Sequence, residues 1–173
     1  FLEDYKIITP ENLIQNPKIS VVMPTYCRGD NGLLERSIRS VLNQTFKELE
    51  LIVVDDGSID STQSVVKKII KEDNRLVYIR NNINSGLPGL KVNQGIMNAR
   101  GKYIAYQFDD DQWYEDAMEN LYNEIIKYDE LTLIYGKCDY IDVVTGLKGE
   151  LGTYDFDYKD IVHTNLIANN SVL

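Results

Sequence analysis

Three adjacent carboxylates, Asp109, Asp110 and Asp111, are the residues of this sequence best suited to chemistry. They follow residues 103–108, a short run of aromatic and apolar residues that predicts a buried strand. Adjacent negative charges repel one another, so their clustering needs a reason. One explanation is solvation at a loop tip, because charged side chains usually face water. The other is a divalent cation, because Mg²⁺ and Mn²⁺ prefer carboxylate oxygens.

A second acidic pair, Asp55 and Asp56, also follows a predicted strand. Residues 49–54 form an almost unbroken apolar run, which is typical of a parallel strand covered on both faces. Asp60 and Ser61 already supply N-cap candidates for the helix that follows. Helix capping therefore leaves Asp55 and Asp56 unexplained, and the pair is a second candidate for binding.

Both acidic clusters belong to an alternating pattern of strands and helices. The predicted strands are residues 19–23, 49–54, 76–79 and 103–108, and the predicted helices are residues 33–45, 62–72 and 90–99. This order predicts an α/β fold with a mostly parallel sheet, helices on both faces and right-handed crossovers. Ligands bind such sheets at the carboxyl ends of the strands. We therefore expect residues 25–26, 55–56 and 109–111 to converge on one edge.

The remaining segments are less regular. Residues 1–17 show no clean periodicity and are interpreted as a leader or interdomain arm. The elements predicted after the acids are a helix over residues 115–128 and strands over residues 131–135, 140–144 and 147–151. The last two strands are separated by a turn and are predicted to form a hairpin.

Composition excludes several classes of function. The chain of 173 residues has a net charge of −9, which argues against a nucleic-acid backbone or an anionic membrane as its main partner. Its single histidine, His163, excludes a histidine-rich metal site and argues against a Ser-His-Asp triad. Cys27 and Cys138 form no CxxC pair and are interpreted as reduced thiols of a cytosolic protein. No apolar run reaches membrane-spanning length, so we expect no transmembrane segment in this sequence.

Several short motifs occur in a fixed order over residues 19–140. They are Ser20-Val-Val-Met-Pro-Thr-Tyr26, Val41-Leu-Asn-Gln-Thr-Phe46, Glu50-Leu-Ile-Val-Val-Asp-Asp-Gly-Ser58, Asn84-Ser-Gly86, Asn93-Gln-Gly-Ile96 and Ala99-Arg-Gly-Lys-Tyr-Ile-Ala105, followed by the three acids and Trp113. Each motif alone is weakly informative. Together, in this order, they resemble the nucleotide-binding part of family 2, inverting glycosyltransferases of the GT-A fold.

The resemblance implies a Rossmann-like GT-A domain whose C-terminal part is incomplete. Residues 18–113 would form the half that binds the nucleotide sugar, and residues 114–173 the start of the acceptor-binding half. The implied reaction transfers a sugar, with inversion, from a nucleoside-diphosphate sugar to an acceptor hydroxyl. By family habit the donor is a UDP-sugar, and the acceptor is a saccharide or glycoconjugate in polysaccharide or glycoconjugate synthesis. The implied location is the cytoplasm, either free or attached to a membrane through parts outside this sequence.

The resemblance also implies the roles of individual residues. The implied nucleotide-binding residues are Pro24, Tyr26, Asp55, Asp56, Gly86, Lys91 and Asp109, and the implied ligands of Mn²⁺ or Mg²⁺ are Asp110 and Asp111. Tyr26 would lie against the base, and Asp56 would contact its polar edge. Asp109 would lie near the ribose, with Asp110 as the main metal ligand. Phe108 stands where many similar enzymes carry an acid, which leaves the register of the acid motif open by one residue.

No residue matches the general base of such enzymes. The resemblance implies an Asp or Glu that takes the proton of the acceptor hydroxyl, after a strand that begins Ser-Val-hydrophobic. Asn170-Ser-Val-Leu173 is similar to the start of that strand. We therefore expect the base beyond residue 173, and we expect these 173 residues alone to bind donor but to transfer sugar poorly or not at all.

Three other functions were weighed against this one. A non-catalytic module that binds sugar nucleotides or partner domains would share the fold and most of the motifs. A sugar-nucleotide pyrophosphorylase needs a glycine- and arginine-rich loop after the first strand. A nicotinamide-binding domain needs G-x-G-x-x-G at that place, where only Gly29 and Gly32 occur.

Overall fold

A five-stranded sheet forms the centre of the computed structural model, which describes residues 4–128, 130, 132–142, 144–152 and 172–173. The strands and helices around it are β1 (Tyr5–Ile8), β2 (Ile19–Thr25), α1 (Leu33–Leu42), β3 (Leu49–Asp55), α2 (Thr62–Ile70), β4 (Leu76–Asn81), α3 (Pro88–Met97), β5 (Tyr103–Tyr106) and α4 (Ala117–Ile125). The strand order is β1-β4-β3-β2-β5, and only β1 runs antiparallel to its neighbour within this sheet. A separate antiparallel hairpin consists of β6 (Cys138–Ile141) and β7 (Lys148–Leu151). The predicted α/β fold and the predicted hairpin are confirmed.

The helices cover both faces of the sheet because β2 and β3 are apolar on both faces. Along β2, Val21 and Met23 join the larger core with residues of α1, α2 and α4. Val22 points to the opposite face, where it packs with Ile52 and Val54 of β3. Helix α3 reaches this second face closely, since a Cβ on Gly95 would lie 2.4 Å from a methyl carbon of Val22. The continuous apolar runs therefore predicted correctly that these strands are buried.

Strand β1 is a feature that the sequence did not predict. Residues 1–17 were interpreted as an arm, yet Tyr5–Ile8 pair antiparallel with β4, from Tyr5↔Asn81 to Ile8↔Tyr78. The strand is short and lies at the edge of the sheet, where Ile7 remains 47% exposed. A four-residue edge strand has no buried face long enough to create a clear period. The division of the chain into donor and acceptor halves stays a prediction.

Pro24 lies inside β2 and does not end it, contrary to the prediction for residues 19–23. The Val22 carbonyl accepts a hydrogen bond from the Gln107 N–H at 3.0 Å, so even-numbered residues of β2 face β5. Pairing between the two strands ends at Val22↔Tyr106. The N–H that proline lacks would therefore point beyond the last paired residue of β5, and the ladder loses no hydrogen bond there.

A buried ion pair joins the strands at the end of the sheet opposite to the acids. The fully buried Glu50 carboxylate accepts hydrogen bonds from the Arg100 guanidinium at 2.6 and 2.9 Å and from the Ser20 hydroxyl at 2.6 Å. Gly101 follows at a point of close approach, because a Cβ there would lie 2.6 Å from the Ser20 nitrogen. Helix α3 ends at Met97, so Gly101 does not cap it.

Some sequence predictions after the acids changed. The helix predicted over residues 115–128 is the shorter α4, and the first hairpin strand lies about two residues earlier than predicted. Tyr135 forms only an isolated bridge with Val172, so the described part of residues 131–135 is not a strand of the sheet. His163 and Asn170 lie outside the described residues. Within the described ranges, no helix is long and apolar enough to cross a membrane.

The Glu50 ion pair generates a stability prediction. Arg100→Gln leaves a buried carboxylate without its charged partner, and we expect it to lower the free energy of unfolding by about 3 kcal/mol. The matched control is Arg39→Gln, because Arg39 pairs with Glu35 and Glu72 on the surface and should contribute less than about 1 kcal/mol. Urea denaturation of both variants measures the difference. Equal losses in the two variants would contradict the assigned role of Glu50.

Candidate functional site

The loops that follow β2, β3 and β5 meet at one edge of the sheet, here called the carboxyl edge. The Asp56 N–H donates a hydrogen bond to the Thr25 carbonyl at 2.9 Å. On the other side, the Arg28 guanidinium of the same loop lies 3.7 Å from the Asp109 carboxylate. These contacts place the three predicted polar clusters side by side, so their predicted convergence is confirmed.

The loop after β2 is held against the start of α2. The N–H groups of Cys27, Arg28 and Gly29 donate to Ser58 Oγ, Thr62 Oγ1 and Asp60 Oδ2 at 2.9, 3.2 and 2.9 Å. Gly29 has no room for a side chain, because a Cβ would lie 2.2 Å from the Thr62 nitrogen. Tyr26 is thereby fixed at the carboxyl edge with 43% of its surface exposed. Its ring can be reached by a planar ligand.

Asp55 is fully buried, and both of its carboxylate oxygens have partners within the protein. The Ser58 N–H donates to Oδ1 at 2.8 Å, and the buried Tyr78 hydroxyl donates to Oδ2. Arg80 Nε lies 3.7 Å from Oδ2. The Tyr78 pKa is raised, first by burial and then by its hydrogen bond to Asp55, which keeps the phenol a donor. Asp55 therefore closes the turn after β3 and points away from solvent.

Asp56 has a different environment although it is the next residue. Its carboxylate accepts hydrogen bonds from the Ser85 N–H at 3.0 Å, from the Ser85 hydroxyl at 3.0 Å and from the Gly86 N–H at 3.1 Å. Lys91 Nζ, which is 8% exposed as a residue, lies 3.1 Å from Oδ1. Burial acts to raise the pKa of Asp56, but the Ser85 N–H and the Lys91 ammonium outweigh it, and the pKa is lowered. Asp56 is thus ionised and fastens the loop of residues 82–87.

Two glycines make this loop arrangement possible. Gly57 has φ +76°, and a Cβ there would lie 2.7 Å from the Asn84 nitrogen. Gly86 has φ +68° and donates its N–H to Asp56 and to the Asn84 side chain. Left-handed backbone favours glycine, so both turns depend on glycine at these positions.

Helix α1 holds the acidic residues 109–111, here called the acid turn, against the sheet. The Ser37 hydroxyl donates to the Asp111 carbonyl at 2.6 Å. The buried Gln44 side chain donates to the Tyr114 carbonyl at 2.7 Å and accepts from the Met118 N–H at 2.9 Å. Trp113 is 9% exposed and belongs to the larger core. The position of the acid turn therefore depends on the same core as the sheet.

One guanidinium lies beside two carboxylates of the acid turn. Arg28 Nε is 3.7 Å from Asp109 Oδ1, and Arg28 Nη2 is 3.4 Å from Asp110 Oδ2. Burial raises the pKa of Asp109, although the Thr25 hydroxyl, Arg28 and the Tyr26 N–H act in the opposite direction. The two carboxylates thus face a common position that already accommodates a cationic group.

Phe108, directly before the acid turn, makes an aromatic contact. Its ring packs edge-on against Tyr106, with ring centroids 4.8 Å apart. In the part of the chain that the structure describes, no three His, Cys, Asp or Glu side chains are grouped to hold a metal ion.

Gln107 is an unusual residue of this region. It is fully buried directly before Phe108, yet its side-chain nitrogen and oxygen have no hydrogen-bond partner among the described residues. Its neighbour two positions earlier, Ala105, lies in the larger core, and strand alternation places Gln107 on the same face. A buried amide without a partner is costly, so leucine, which is similar in size, would suit this position better.

This environment generates a second prediction. Gln107→Leu should raise the free energy of unfolding by about 1 kcal/mol, because it removes the cost of desolvating an unpaired amide. Gln44→Leu is the matched control, since the Gln44 amide has hydrogen-bond partners in the acid-turn region and its loss should be destabilising. Thermal and urea unfolding of both variants provide the comparison. A destabilised Gln107→Leu protein would mean that the Gln107 amide is satisfied.

Comparison with known proteins assigns the chain to a family. The model of glycosyl transferase family 2 matches residues 20–167, and the chain belongs to this family. Its motifs and its sheet are those of the GT-A fold.

The relatives carry specific activities. The GalNAc(5)-diNAcBac-PP-undecaprenol beta-1,3-glucosyltransferase of Campylobacter jejuni is 41% identical over 105 residues, which are 61% of this chain and 33% of that protein. The poly(ribitol-phosphate) beta-N-acetylglucosaminyltransferase TarP of Staphylococcus aureus is 36% identical over 138 residues, 78% of this chain and 38% of TarP. The crystal structure of S. aureus TarS 1–349 with UDP-GlcNAc is 29% identical, with a TM-score of 0.59 over 64% of this chain and 31% of that one. The chain therefore spans only about a third of the length of these relatives.

The structure adds residues that the sequence did not single out, namely Arg28, Tyr78 and Gln107, and it gives Ser85 of the Asn84-Ser-Gly86 motif a partner in Asp56. Arg28, Tyr78 and Ser85 contact residues that are distant in sequence, which a motif does not reveal. Arg28 had a readable signal, because a basic residue follows a strand whose neighbours end in acids. Of the implied site residues, Tyr26, Asp56, Lys91 and Asp109 come together at the carboxyl edge, whereas Asp55 faces the interior.

Proposed function

We propose that this chain binds the nucleoside-diphosphate sugar that serves as the donor of a glycosyltransferase. The preferred donor would be a UDP-sugar. The observation that carries this proposal is the meeting of an accessible tyrosine, an anchored carboxylate and the acid turn at one edge of the sheet. Parallel α/β sheets bind ligands at this edge. The S. aureus structures with UDP and UDP-GlcNAc support uridine as the nucleoside.

The base would lie against Tyr26 with its polar edge toward Asp56. A carboxylate has about four acceptor positions, and the donors at Asp56 are Ser85 N–H, Ser85 Oγ, Gly86 N–H and Lys91. The Ser85 hydroxyl contacts both oxygens and can rotate away without moving the backbone. A base N–H would take its place, and the ionised carboxylate would then select bases that carry a donor there. Asp55 would act by positioning Asp56, not by touching the nucleotide.

A divalent cation, Mn²⁺ or Mg²⁺, would be held by the acid turn, with Asp110 as its main ligand. The fit is supported by Arg28, whose guanidinium already lies between the carboxylates of Asp109 and Asp110. Mg²⁺ is commonly bound through one or two carboxylates together with substrate phosphates, which agrees with a two-carboxylate site. Such an ion, when bound, would neutralise the charge that develops on the departing diphosphate. Asp111, held through its carbonyl by Ser37, would support the turn.

The acceptor would approach from the side of the β6–β7 hairpin. Tyr114, which follows the acid turn, donates its hydroxyl to Asp139 of β6. Cys138 is close enough to the acid turn that the Asp111 charge, after burial, helps to raise the pKa of its thiol. A saccharide or glycoconjugate hydroxyl arriving there would face the donor from the acid-turn side. Its oxygen would bond to the anomeric carbon with inversion as the bond to the diphosphate breaks, and its proton would pass to a general base. The C. jejuni and S. aureus relatives, named for undecaprenol-linked and poly(ribitol-phosphate) substrates, support acceptors of this class.

Calorimetric titration of UDP, with and without Mn²⁺, tests this function. The unmodified chain should bind UDP more tightly when Mn²⁺ is present, and Asp110→Asn should remove most of that gain, at least about tenfold. Asp116→Asn is the matched control, because Asp116 carries the same charge and caps α4 close to the acid turn. No binding of UDP, GDP or dTDP by the unmodified chain would refute the proposal. Binding of UDP that does not depend on Mn²⁺ would support the nucleotide site and contradict the metal site.

Asp56 provides a separate test of base recognition. Asp56→Asn removes the ionised acceptor, and we expect UDP affinity to fall about tenfold or more, since hydrogen bonds to charged groups contribute about 1.5–3 kcal/mol. The loss should be as large without Mn²⁺ as with it, because Asp56 lies at the base end of the site. Asp60→Asn is the control for damage to the loops. Asp60 is half-buried and accepts a hydrogen bond from the Gly29 N–H. A loss that appears only with Mn²⁺ would contradict this assignment.

A further inference from the structure

Arg28 is paired with the same carboxylates that would hold the metal ion of the proposed donor site. Its guanidinium is paired with the carboxylates of Asp109 and Asp110, whereas the other arginine near the acid turn, Arg36, contacts the backbone carbonyl of Asp110 at 3.4 Å. Arg28 therefore faces the same two charges that a divalent ion would face. The two cations cannot occupy one position at once.

The surroundings of Arg28 separate a fixed backbone from a movable side chain. Its N–H is bonded to Thr62, and the residues on either side are bonded to Ser58 and Asp60. The side chain is 41% exposed, and its distances to the carboxylates, 3.4 and 3.7 Å, are those of a loose ion pair. The guanidinium can consequently leave the acids while the loop stays in place.

We propose that Arg28 is the resident counter-cation of the acid turn, which a divalent ion must displace. This inference rests on the proposed donor site. It adds that a metal ion binds more favourably together with a nucleoside diphosphate than alone. A metal ion arriving alone gains the Asp109 and Asp110 carboxylates but breaks their pairing with Arg28. A metal ion arriving with a nucleoside diphosphate brings new negative charge, which pairs with the displaced guanidinium. Metal and nucleotide therefore bind with positive coupling, and the coupling must be the same whichever binds first.

The test compares Arg28→Gln with the unmodified chain in Mn²⁺ titrations followed by electron paramagnetic resonance, with and without UDP. For Mn²⁺ alone, Arg28→Gln should bind about threefold more tightly, the size expected for loss of one partly exposed competing ion pair. The ratio of Mn²⁺ affinities with and without UDP should fall by at least the same factor. Arg36→Gln removes an equal charge from the same region but no carboxylate pairing, so it corrects for the general field. Structural damage from a substitution does not produce tighter metal binding.

Arg28→Lys extends the test, because lysine keeps the charge and should leave Mn²⁺ binding close to that of the unmodified chain. Mn²⁺ affinity that is unchanged or weaker in Arg28→Gln, relative to Arg36→Gln, would overturn the counter-cation role and leave the donor site intact. If the unmodified chain bound neither Mn²⁺ nor UDP, the proposed function and this inference would fall together. If Arg28→Gln does not fold, Arg28→Ala replaces it in the test. Tighter Mn²⁺ binding by Arg28→Ala would support the counter-cation role, and unchanged or weaker binding would overturn it.

Discussion

Repulsion among carboxylates is the constraint on which the carboxyl edge of this protein depends. Two acids end β3 and three follow β5, and parallel strands bring both groups to the same edge. Each acid with a described partner is compensated by a different means. Asp55 receives a phenol and a backbone N–H, Asp56 receives a lysine and two backbone N–H groups, and Asp109 and Asp110 share Arg28. The fold must therefore place hydrogen-bond donors and cations beside these carboxylates as accurately as it packs the core.

The two ends of the sheet use charge differently. At the end opposite to the acids, Glu50 is fully buried and bound by Arg100 at hydrogen-bond distances, so this pair joins strands permanently. At the carboxyl edge the Arg28 pairs are longer and partly exposed. A buried pair is costly to break, whereas an exposed one is easily exchanged for another partner. An ion pair is therefore structural where it is buried and exchangeable where it is exposed to solvent. This difference agrees with the proposal that the carboxyl edge binds a ligand.

The sequence predicted the features that depend on local period and missed those that depend on neighbours. The buried strands β2 and β3, the helices and the meeting of the acid clusters followed from continuous apolar runs and from the order of elements. Strand β1 was missed because a short edge strand is stabilised by β4 and not by its own pattern. The orientation of Asp55 toward Tyr78 could not be read, because it depends on a partner 23 residues away. The pairing of Arg28 with the acid turn depends on carboxylates about 80 residues away, which its own polar loop does not indicate.

Asp55 and Asp56 show why one acidic motif serves two purposes. Successive residues of a strand point to opposite faces, so Asp55 turns to the face of Tyr78 and the larger core, and Asp56 turns toward α3 and Lys91. Asp55 is fully buried and bonded to the Ser58 N–H and the Tyr78 hydroxyl, so it holds the turn from which Asp56 projects. Asp56 can exchange one hydroxyl donor for a ligand without losing its charge partner. Strand alternation thus separates the residue that maintains the turn from the residue that holds the loop of residues 82–87, and the two acids are not interchangeable.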